Sequence, residues 1–233
     1  RSTLFPYTTL FRSPYRAIIG ILAPPIQAEL GINDFRMGLL GGLAFALLYT
    51  GLGVPIAWLA DRYNRVWIMT AALAVWSGFT ALCGAAQTYT QLFLCRIGVG
   101  VGEAGGVAPA YSLVSDYFPR EQRARALSVY SFGIPIGTGL AFMFGGIIAA
   151  RVDWRAAFVI VGLAGLMIAP LFRLTVKEPP RGRYDPAAAS AAPFTEVMRA
   201  LARKPSFWAL SFGASCSSMM GYGLLYGDRK SVV

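Results

Sequence analysis

The sequence contains no histidine. Histidine catalysis, histidine metal sites and histidine proton relays are therefore excluded within this chain. Any proton chemistry has to use carboxylates, and Asp and Glu together number only 11 among 233 residues. Cysteine is also scarce, because Cys83, Cys95 and Cys216 are scattered and form no CxxC pair. We therefore expect no disulfide framework, no metal site and no cofactor.

Charged residues of both signs are scarce. Charged residues make up 14% of the sequence, whereas a soluble domain carries about 25%. Hydrophobic residues make up 56%, and the mean hydropathy is +0.54. They are grouped into runs close to the roughly 17–25 residues that cross a bilayer. This pattern predicts an all-α membrane protein and disfavours the alternative, a soluble helical domain.

The formal net charge of +10 raises the possibility of a nucleic-acid partner. The basic residues, however, lie between apolar runs and not on one amphipathic face, which is the pattern of membrane topology. We therefore expect the lipid bilayer as partner and no nucleic acid. Lys and Arg are concentrated after the second, fourth and sixth runs, while the opposite loops hold only Arg36, Arg151 and Arg155. Positive residues stay on the cytoplasmic side, so the N-terminus is predicted to be cytoplasmic.

Six apolar runs and the start of a seventh define the predicted domains. The runs cover residues 15–28, 37–60, 67–85, 92–114, 126–149 and 154–174, and the seventh begins at residue 207. We predict a six-helix transmembrane domain over 14–174, a cytoplasmic Pro/Ala-rich linker over 175–205 and the start of a second transmembrane domain over 206–227. Residues 1–13 resemble translated adapter sequence, and 228–233 end an apolar run abruptly. Both ends are interpreted as non-native.

The fourth run contains two ionisable residues, Arg96 and Glu103, which are seven positions apart. Seven residues make about two turns, so both side chains lie on similar faces of one helix. A buried charge in hydrocarbon costs at least ~2.5–3.5 kcal/mol and normally faces a partner or a water-filled cavity. Gly98, Gly102 and Gly106 recur every fourth residue and permit close approach of a neighbouring helix. The run is predicted to be the wall of a polar cavity.

Two interpretations of the charged pair remain open. Arg96 and Glu103 can form an internal structural ion pair. Alternatively, Arg96 attracts an anionic group of a substrate and Glu103 carries a proton. The sequence favours the second interpretation without deciding it.

Three motifs resemble one family. The segment 57–65, AWLADRYNR, is similar to the G-x-x-x-D-R-x-G-R loop motif between helices two and three of the major facilitator superfamily. The upstream segment ILAPPIQAELG looks like the spinster branch of that superfamily. The stretch from Arg96 to Glu103 resembles the fourth-helix motif, and Gly133 with Gly137 is a looser match to the fifth-helix motif.

The resemblance implies a twelve-helix transporter built of two six-helix halves with substrate binding at the midplane. This chain would supply the N-terminal half, the linker and part of helix seven. The implied function is secondary active transport of a small organic or amphipathic anion, such as a lysolipid or an organic acid, by alternating access with proton coupling. The full-length protein would be monomeric in a bacterial inner membrane. A multidrug-type efflux transporter, a channel and a non-transporting scaffold stay open as alternatives, whereas no nucleophile–base pair or metal cluster suggests an enzyme.

The resemblance also assigns roles to single residues. Spinster relatives carry an Asp-Arg pair in helix one; Arg16 matches the Arg, but Tyr15 stands at the position of the Asp. Asp61, Arg62 and Arg65 would form a cytoplasmic gate in which Asp61 latches the outward-facing state. The alternative is that these three are loop charges that only set topology. Gly133 and Gly137 are expected to form a second helix-packing ridge.

Overall fold

A computed structural model describes residues 18–184 and 193–227. The chain divides into two units, Arg1–Ala189 and Ser190–Val233. All regular secondary structure in the described ranges is helical, so the prediction of an all-α fold is confirmed. Arg16 and the two ends interpreted as non-native, 1–13 and 228–233, lie outside the described residues.

The helices of the first unit follow the predicted runs with shifted ends. A short helical segment at 18–21 precedes them. They are α1 Ala23–Leu30, α2 Asp34–Gly38, α3 Ala44–Ala60, α4 Arg65–Cys83, α5 Tyr89–Ala104, α6 Val107–Tyr117, α7 Arg120–Leu140, α8 Gly146–Arg151 and α9 Trp154–Thr175. One π-helical turn, Leu39–Leu43, joins α2 to α3, and another, Ala141–Gly145, joins α7 to α8. The second unit holds α10 Phe194–Ala202 and α11 Pro205–Gly227.

Side-chain caps set several helix starts. Asn33 caps α2 by accepting a hydrogen bond from the amide of Arg36 at 2.9 Å. Asn64 does the same for α4, accepting from the amide of Trp67 at 2.9 Å. A capped helix start satisfies amides that have no partner inside the helix. Because Asn64 is the cap, Arg65 belongs to the first turn of α4, two residues earlier than the sequence predicts.

The fourth apolar run does not form one uninterrupted helix. The amides of Gly105 and Gly106 bond to the carbonyls of Gly102 at 3.1 Å and Glu103 at 3.0 Å, three residues back. This tighter turn ends α5, and α6 begins at Val107. Tight turns of this kind are common at helix ends. The helix predicted over 92–114 is therefore interrupted at Gly105 and Gly106, between the end of α5 at Ala104 and the start of α6 at Val107.

Helix α4 lies at the centre of the first unit. It packs along α5 on one side and along α9 on the other, and α5 also packs against α3. Two groups of buried residues fill the two ends of this bundle. The Arg65 end includes Val66, Leu113 and Phe172, and the Trp154 end includes Ile26, Leu92 and Phe158.

The outer faces of the bundle are apolar. Phe132 on α7 is 64% exposed and Leu174 on α9 is 80% exposed. Among the described residues, four helical segments are long and apolar enough to cross a membrane: Arg65–Cys83, Tyr89–Tyr117, Arg120–Ile148 and Trp154–Thr175. Helices of this length that expose large apolar side chains are typical of membrane spans, in which the exposed side chains contact lipid.

Candidate functional site

Helix α5 carries the two predicted coupling residues on its buried side. A capping box formed by Thr88 and Gln91 starts the helix; Arg96 lies at its middle and Glu103 lies in its last turn. Arg96 is 2% exposed and Glu103 is fully buried. Their spacing corresponds to about 10 Å of helix rise. The structure therefore places a guanidinium and a carboxyl group inside the helical bundle on one element.

The glycines between and beside these residues lie against α4. A Cβ added to Gly98 would overlap the ring of Phe79, and one added to Gly102 would overlap the backbone of Trp76. At Gly106 the added carbon would lie 3.3 Å from the Trp76 ring. Gly98 and Gly102 are therefore closed to a larger residue, whereas a side chain at Gly106 would require a small shift of the Trp76 ring. The stripe brings α5 close to α4 and determines where Arg96 and Glu103 lie in the bundle.

A second stripe of small residues forms the buried face of α7 and the π-helical turn after it. Gly133, Gly137, Ala141 and Gly145 are all buried. By contrast, Ile136 next to Gly137 is 53% exposed. Because these small residues recur every four positions, they share one buried face of the helix, and the large apolar residues between them lie on the exposed face.

A cluster of ionic groups surrounds Arg65, which is 1% exposed. Its Nη1 lies 2.5 Å from Oδ2 of Asp116, and its Nε lies 2.6 Å from Oε1 of Glu178. Nη1 also donates to the hydroxyl of Ser112 at 2.9 Å. A buried charge is tolerated when it is paired and its donors are bonded. Arg65 is therefore held within this unit by partners from α6 and from the segment after α9.

The other two predicted gate residues lie outside this cluster. The Arg62 guanidinium lies 3.9 Å from the centroid of the Trp58 ring. Asp61 is exposed, and among the residues that the structure describes its carboxylate has no hydrogen bond or ion pair. Only its backbone carbonyl accepts a hydrogen bond, from Arg181. The structure thus separates Asp61 and Arg62 from Arg65, which the sequence pattern groups together.

Glu178, which pairs with Arg65, and Arg181, which bonds to the Asp61 carbonyl, belong to residues 177–183, here called the strap. The strap lies in the predicted Pro/Ala-rich linker, for which the sequence predicts no site residue. In the structure Glu178 and Arg181 both bond to neighbouring helix ends. The one available signal was the string Glu-Pro-Pro-Arg-Gly, in which opposite charges flank two helix-breaking prolines.

A separate polar group closes the Trp154 end. The Trp154 indole donates to Oε2 of Glu29 at 2.6 Å. Nη1 of Arg155 lies 2.6 Å from the other carboxylate oxygen, and its Nη2 donates to the carbonyl of Ala86 at 3.2 Å. The indole hydrogen bond, followed by the Arg155 guanidinium, lowers the pKa of Glu29 below its ordinary value. These contacts tie α1 to α9 and to the turn before α5.

One predicted site residue is not placed by this geometry. Arg16 lies outside the described residues. Within 18–184 and 193–227, no three His, Cys, Asp or Glu side chains come together in a way that could hold a metal ion.

The sequence matches the family described as Major Facilitator Superfamily over residues 7–227, nearly the whole chain. The chain belongs to the major facilitator superfamily. It is 34% identical over 209 residues to an MFS-type efflux pump of Mycolicibacterium smegmatis, covering 90% of this chain and 48% of that protein. It is 33% identical over 216 residues to protein spinster homolog 1 of Homo sapiens, covering 89% of this chain and 40% of that protein.

A solved structure agrees with this assignment. It is a bacterial homolog of the human lysosomal transporter Spinster, in an inward-facing and unoccupied conformation. The TM-score is 0.80 at 35% sequence identity, covering 97% of this chain and 53% of that one. This superfamily chain is therefore spinster-like and an integral multi-pass membrane protein, as its motifs predict. It spans about half the length of the relatives it matches.

Proposed function

We propose that this protein works as a secondary active transporter that moves a small organic or amphipathic anion by alternating access. In this proposal Arg96 attracts the anionic group and Glu103 carries the coupling proton. The observation that supports it most directly is the burial of both groups on α5, at 2% and 0% exposure. Ionisable residues inside a membrane bundle are costly to retain and usually mark a substrate or proton pathway.

Coupling of anion binding to proton uptake follows from the electrostatics of Arg96 and Glu103. In this proposal the positive charge of Arg96 acts on Glu103 across the bundle interior, where charges interact more strongly than they do in water. An anion arriving at Arg96 would offset that attraction and favour a protonated Glu103. Anion binding and proton uptake would then be linked by a coupling free energy, and by linkage the effect is reciprocal.

The proposal includes an orientation. Basic residues such as Arg120, Arg123 and Arg125 follow α6, beside the Arg65 end of the bundle. The positive-inside rule places this end and the N-terminus in the cytoplasm. The protein would reside in a bacterial inner membrane as a monomer, with this chain supplying the first of two six-helix halves.

The test uses two substitutions in protein reconstituted into liposomes with an imposed pH gradient. Glu103→Gln should keep anion binding, measured with a lysophospholipid and a simple carboxylate as probes, but lose the dependence of uptake on the gradient. Arg96→Ala should lose anion binding. Glu121→Gln and Arg125→Ala, which replace exposed residues of the same types, serve as controls. Unaltered pH dependence in Glu103→Gln would make Glu103 a structural residue and remove the coupling proposal.

A second candidate function is efflux of chemically diverse drugs. It is favoured by the similarity to a mycobacterial protein named as an MFS-type efflux pump. The two functions differ in what Arg96 does. If a cationic or neutral dye is exported and Arg96→Ala exports it at an unchanged rate, the multidrug function is supported and anion selectivity is not.

A further inference from the structure

The strap begins where α9 ends at Thr175. Pro179 and Pro180 cannot continue a helix, since proline lacks an amide hydrogen and disfavours helical geometry in the residue before it. Gly182 then adopts φ +66°, a left-handed conformation that glycine takes at little cost. The strap consequently turns back across the Arg65 end instead of leading away from it.

Glu178 satisfies two separate groups of α4. Its Oε1 lies 2.6 Å from Nε of the buried Arg65. Its Oε2 accepts a hydrogen bond from the backbone amide of Val66 at 3.1 Å. The first amides of a helix lack internal partners and carry partial positive charge, so a carboxylate there is stabilising. Glu178 therefore acts on α4 as both counter-ion and cap.

Arg181 makes the complementary contact with the end of α3. Its Nη2 donates to the carbonyls of Ala60 at 2.9 Å and Tyr63 at 2.5 Å, and its Nη1 donates to the carbonyl of Asp61. Carbonyls at a helix C-terminus lack internal partners, and a cation there complements their partial negative charge. The planar fork of an Arg side chain can reach several such oxygens at once.

The strap also contacts α6. The amide of Gly182 donates to Oδ1 of Asp116 at 3.1 Å, while Oδ2 of the same carboxylate binds Arg65. The hydroxyl of Tyr117 donates to the carbonyl of Lys177. Five of these seven residues, namely Lys177, Glu178, Pro179, Arg181 and Gly182, thus bond to the end of α3, the start of α4 and the end of α6.

We propose that the strap clamps these three helix ends into one body, and that Glu178 and Arg181 are positioning residues for the turn 61–64. Arg181 occupies the backbone carbonyls of this turn and leaves the Asp61 carboxylate facing outward. The expected effect of the clamp on the transport rate rests on the proposed function, whereas the existence of the clamp does not.

The clamp is tested by hydrogen–deuterium exchange of the full chain in lipid nanodiscs. Glu178→Gln should speed exchange of the Val66 amide at least about tenfold, the scale for losing a charge-assisted hydrogen bond. Arg181→Ala should speed exchange of the amides of Asp61, Arg62 and Tyr63, which bond back to α3 in the structure. Arg183→Ala is the matched control, because Arg183 contacts the neighbouring Tyr184 ring at 5.5 Å.

Equal exchange of residues 61–66 in Arg181→Ala and Arg183→Ala would overturn the proposal. If Arg181→Ala does not fold, Arg181→Lys replaces it, since a single ammonium cannot hold three carbonyls in the fork geometry. Amide exchange of residues 61–63 in Arg181→Lys should be faster than in wild type. Exchange at the wild-type rate would again overturn the proposal.

Transport gives a second, independent measurement. With wild-type protein active in liposomes, Arg181→Ala should lower the maximal rate with the half-saturating substrate concentration unchanged, and Arg181→Lys should restore part of the rate. A change confined to substrate affinity would contradict a positioning role. If the wild type transports nothing, the proposed function fails, yet the exchange experiment still decides whether the clamp exists.

Discussion

Arg65 and Asp116 form an ion pair at 2.5 Å although 51 residues separate them in the sequence. Arg65 opens α4 and Asp116 lies in the last turn of α6. Both are almost completely buried, with side-chain exposures of 2% and 10%. Removing one member of a buried pair leaves an uncompensated charge, which costs far more than the net contribution of the intact pair.

The first prediction concerns this pair. Asp116→Asn keeps the size of the side chain and an oxygen for the Gly182 amide, but it removes one counter-charge from Arg65. The free energy of unfolding should fall by about 3 kcal/mol, the low end for a broken buried pair, because Glu178 remains. Chemical denaturation in detergent micelles measures the loss. Glu121→Gln, at an exposed site, should differ little from wild type, and a similar loss in both variants would contradict a specific pair.

The second prediction separates two helical glycines. A Cβ at Gly102 would overlap the Trp76 backbone, whereas one at Gly78 would meet nothing within 4 Å. Gly102→Ala should therefore destabilise the protein by about 1–3 kcal/mol through overpacking. Gly78→Ala should be neutral or stabilising by up to about 1 kcal/mol, because alanine is the better helix former. Thermal unfolding of both variants provides the comparison, and equal midpoints would argue against close packing of α5 on α4.

The third prediction is a pH dependence at the Trp154 end. The Trp154 indole and the Arg155 guanidinium lower the pKa of Glu29 in the folded protein. A depressed pKa means that this carboxylate stabilises the fold above its ordinary pKa of 4.5 and that the contribution disappears as pH falls through the lowered value. Glu29→Gln should therefore be less stable than wild type near pH 7 and indistinguishable from it at low pH.

The control for this effect removes the main donor. Trp154→Phe deletes the indole hydrogen bond, so the pKa of Glu29 should rise toward its ordinary value. NMR titration of the Glu29 carboxyl carbon reports this shift directly. An unchanged pKa in Trp154→Phe would show that Arg155 alone perturbs Glu29.

The fourth prediction concerns orientation. Phe35 is 73% exposed and Tyr63 is 61% exposed; Phe35 lies in the short helix α2 before α3, and Tyr63 lies in the turn after α3. In a background without Cys83, Cys95 and Cys216, cysteines at these two positions should label from opposite sides of the membrane. Tyr63→Cys should react from the cytoplasmic side. Labelling of both from one side would contradict a spanning α3.

Much of the fold was predictable because a bilayer restricts the choices. Apolar runs of spanning length are expected to become helices, and the runs 67–85 and 154–174 correspond to α4 and α9, whereas α7 begins at Arg120, six residues before the predicted run. Arg96 and Glu103 were recognisable because an ionisable residue inside such a run has to be buried or face a cavity.

The partners of Arg65 were not predictable. Asp116 and Glu178 lie 51 and 113 residues away, and no local period links them to Arg65. The two prolines after Glu178 predict only that a helix ends there. Whether the chain then leaves the bundle or folds back across it depends on tertiary contacts that a single sequence does not display.

The last prediction concerns Asp61. Among the described residues its carboxylate has no hydrogen bond or ion pair, while Arg181 binds its carbonyl. Under the proposed transport function, we expect this exposed charge to pair with another part of the full-length protein in one state of the transport cycle. Asp61→Asn removes the charge and keeps the shape. It should shift the population toward inward-facing states and slow transport, with a coupling free energy of about 1–3 kcal/mol.

Stability distinguishes this role from that of the buried carboxylate. Asp61→Asn breaks no contact described in the structure, so its free energy of unfolding should stay within about 0.5 kcal/mol of wild type. Asp116→Asn should lose several times that amount. Cysteine accessibility on the two sides of the membrane reports the population shift, and uptake into liposomes reports the rate. If Asp61→Asn leaves both unchanged, Asp61 only sets topology; if it unfolds like Asp116→Asn, it belongs to the structural cluster around Arg65.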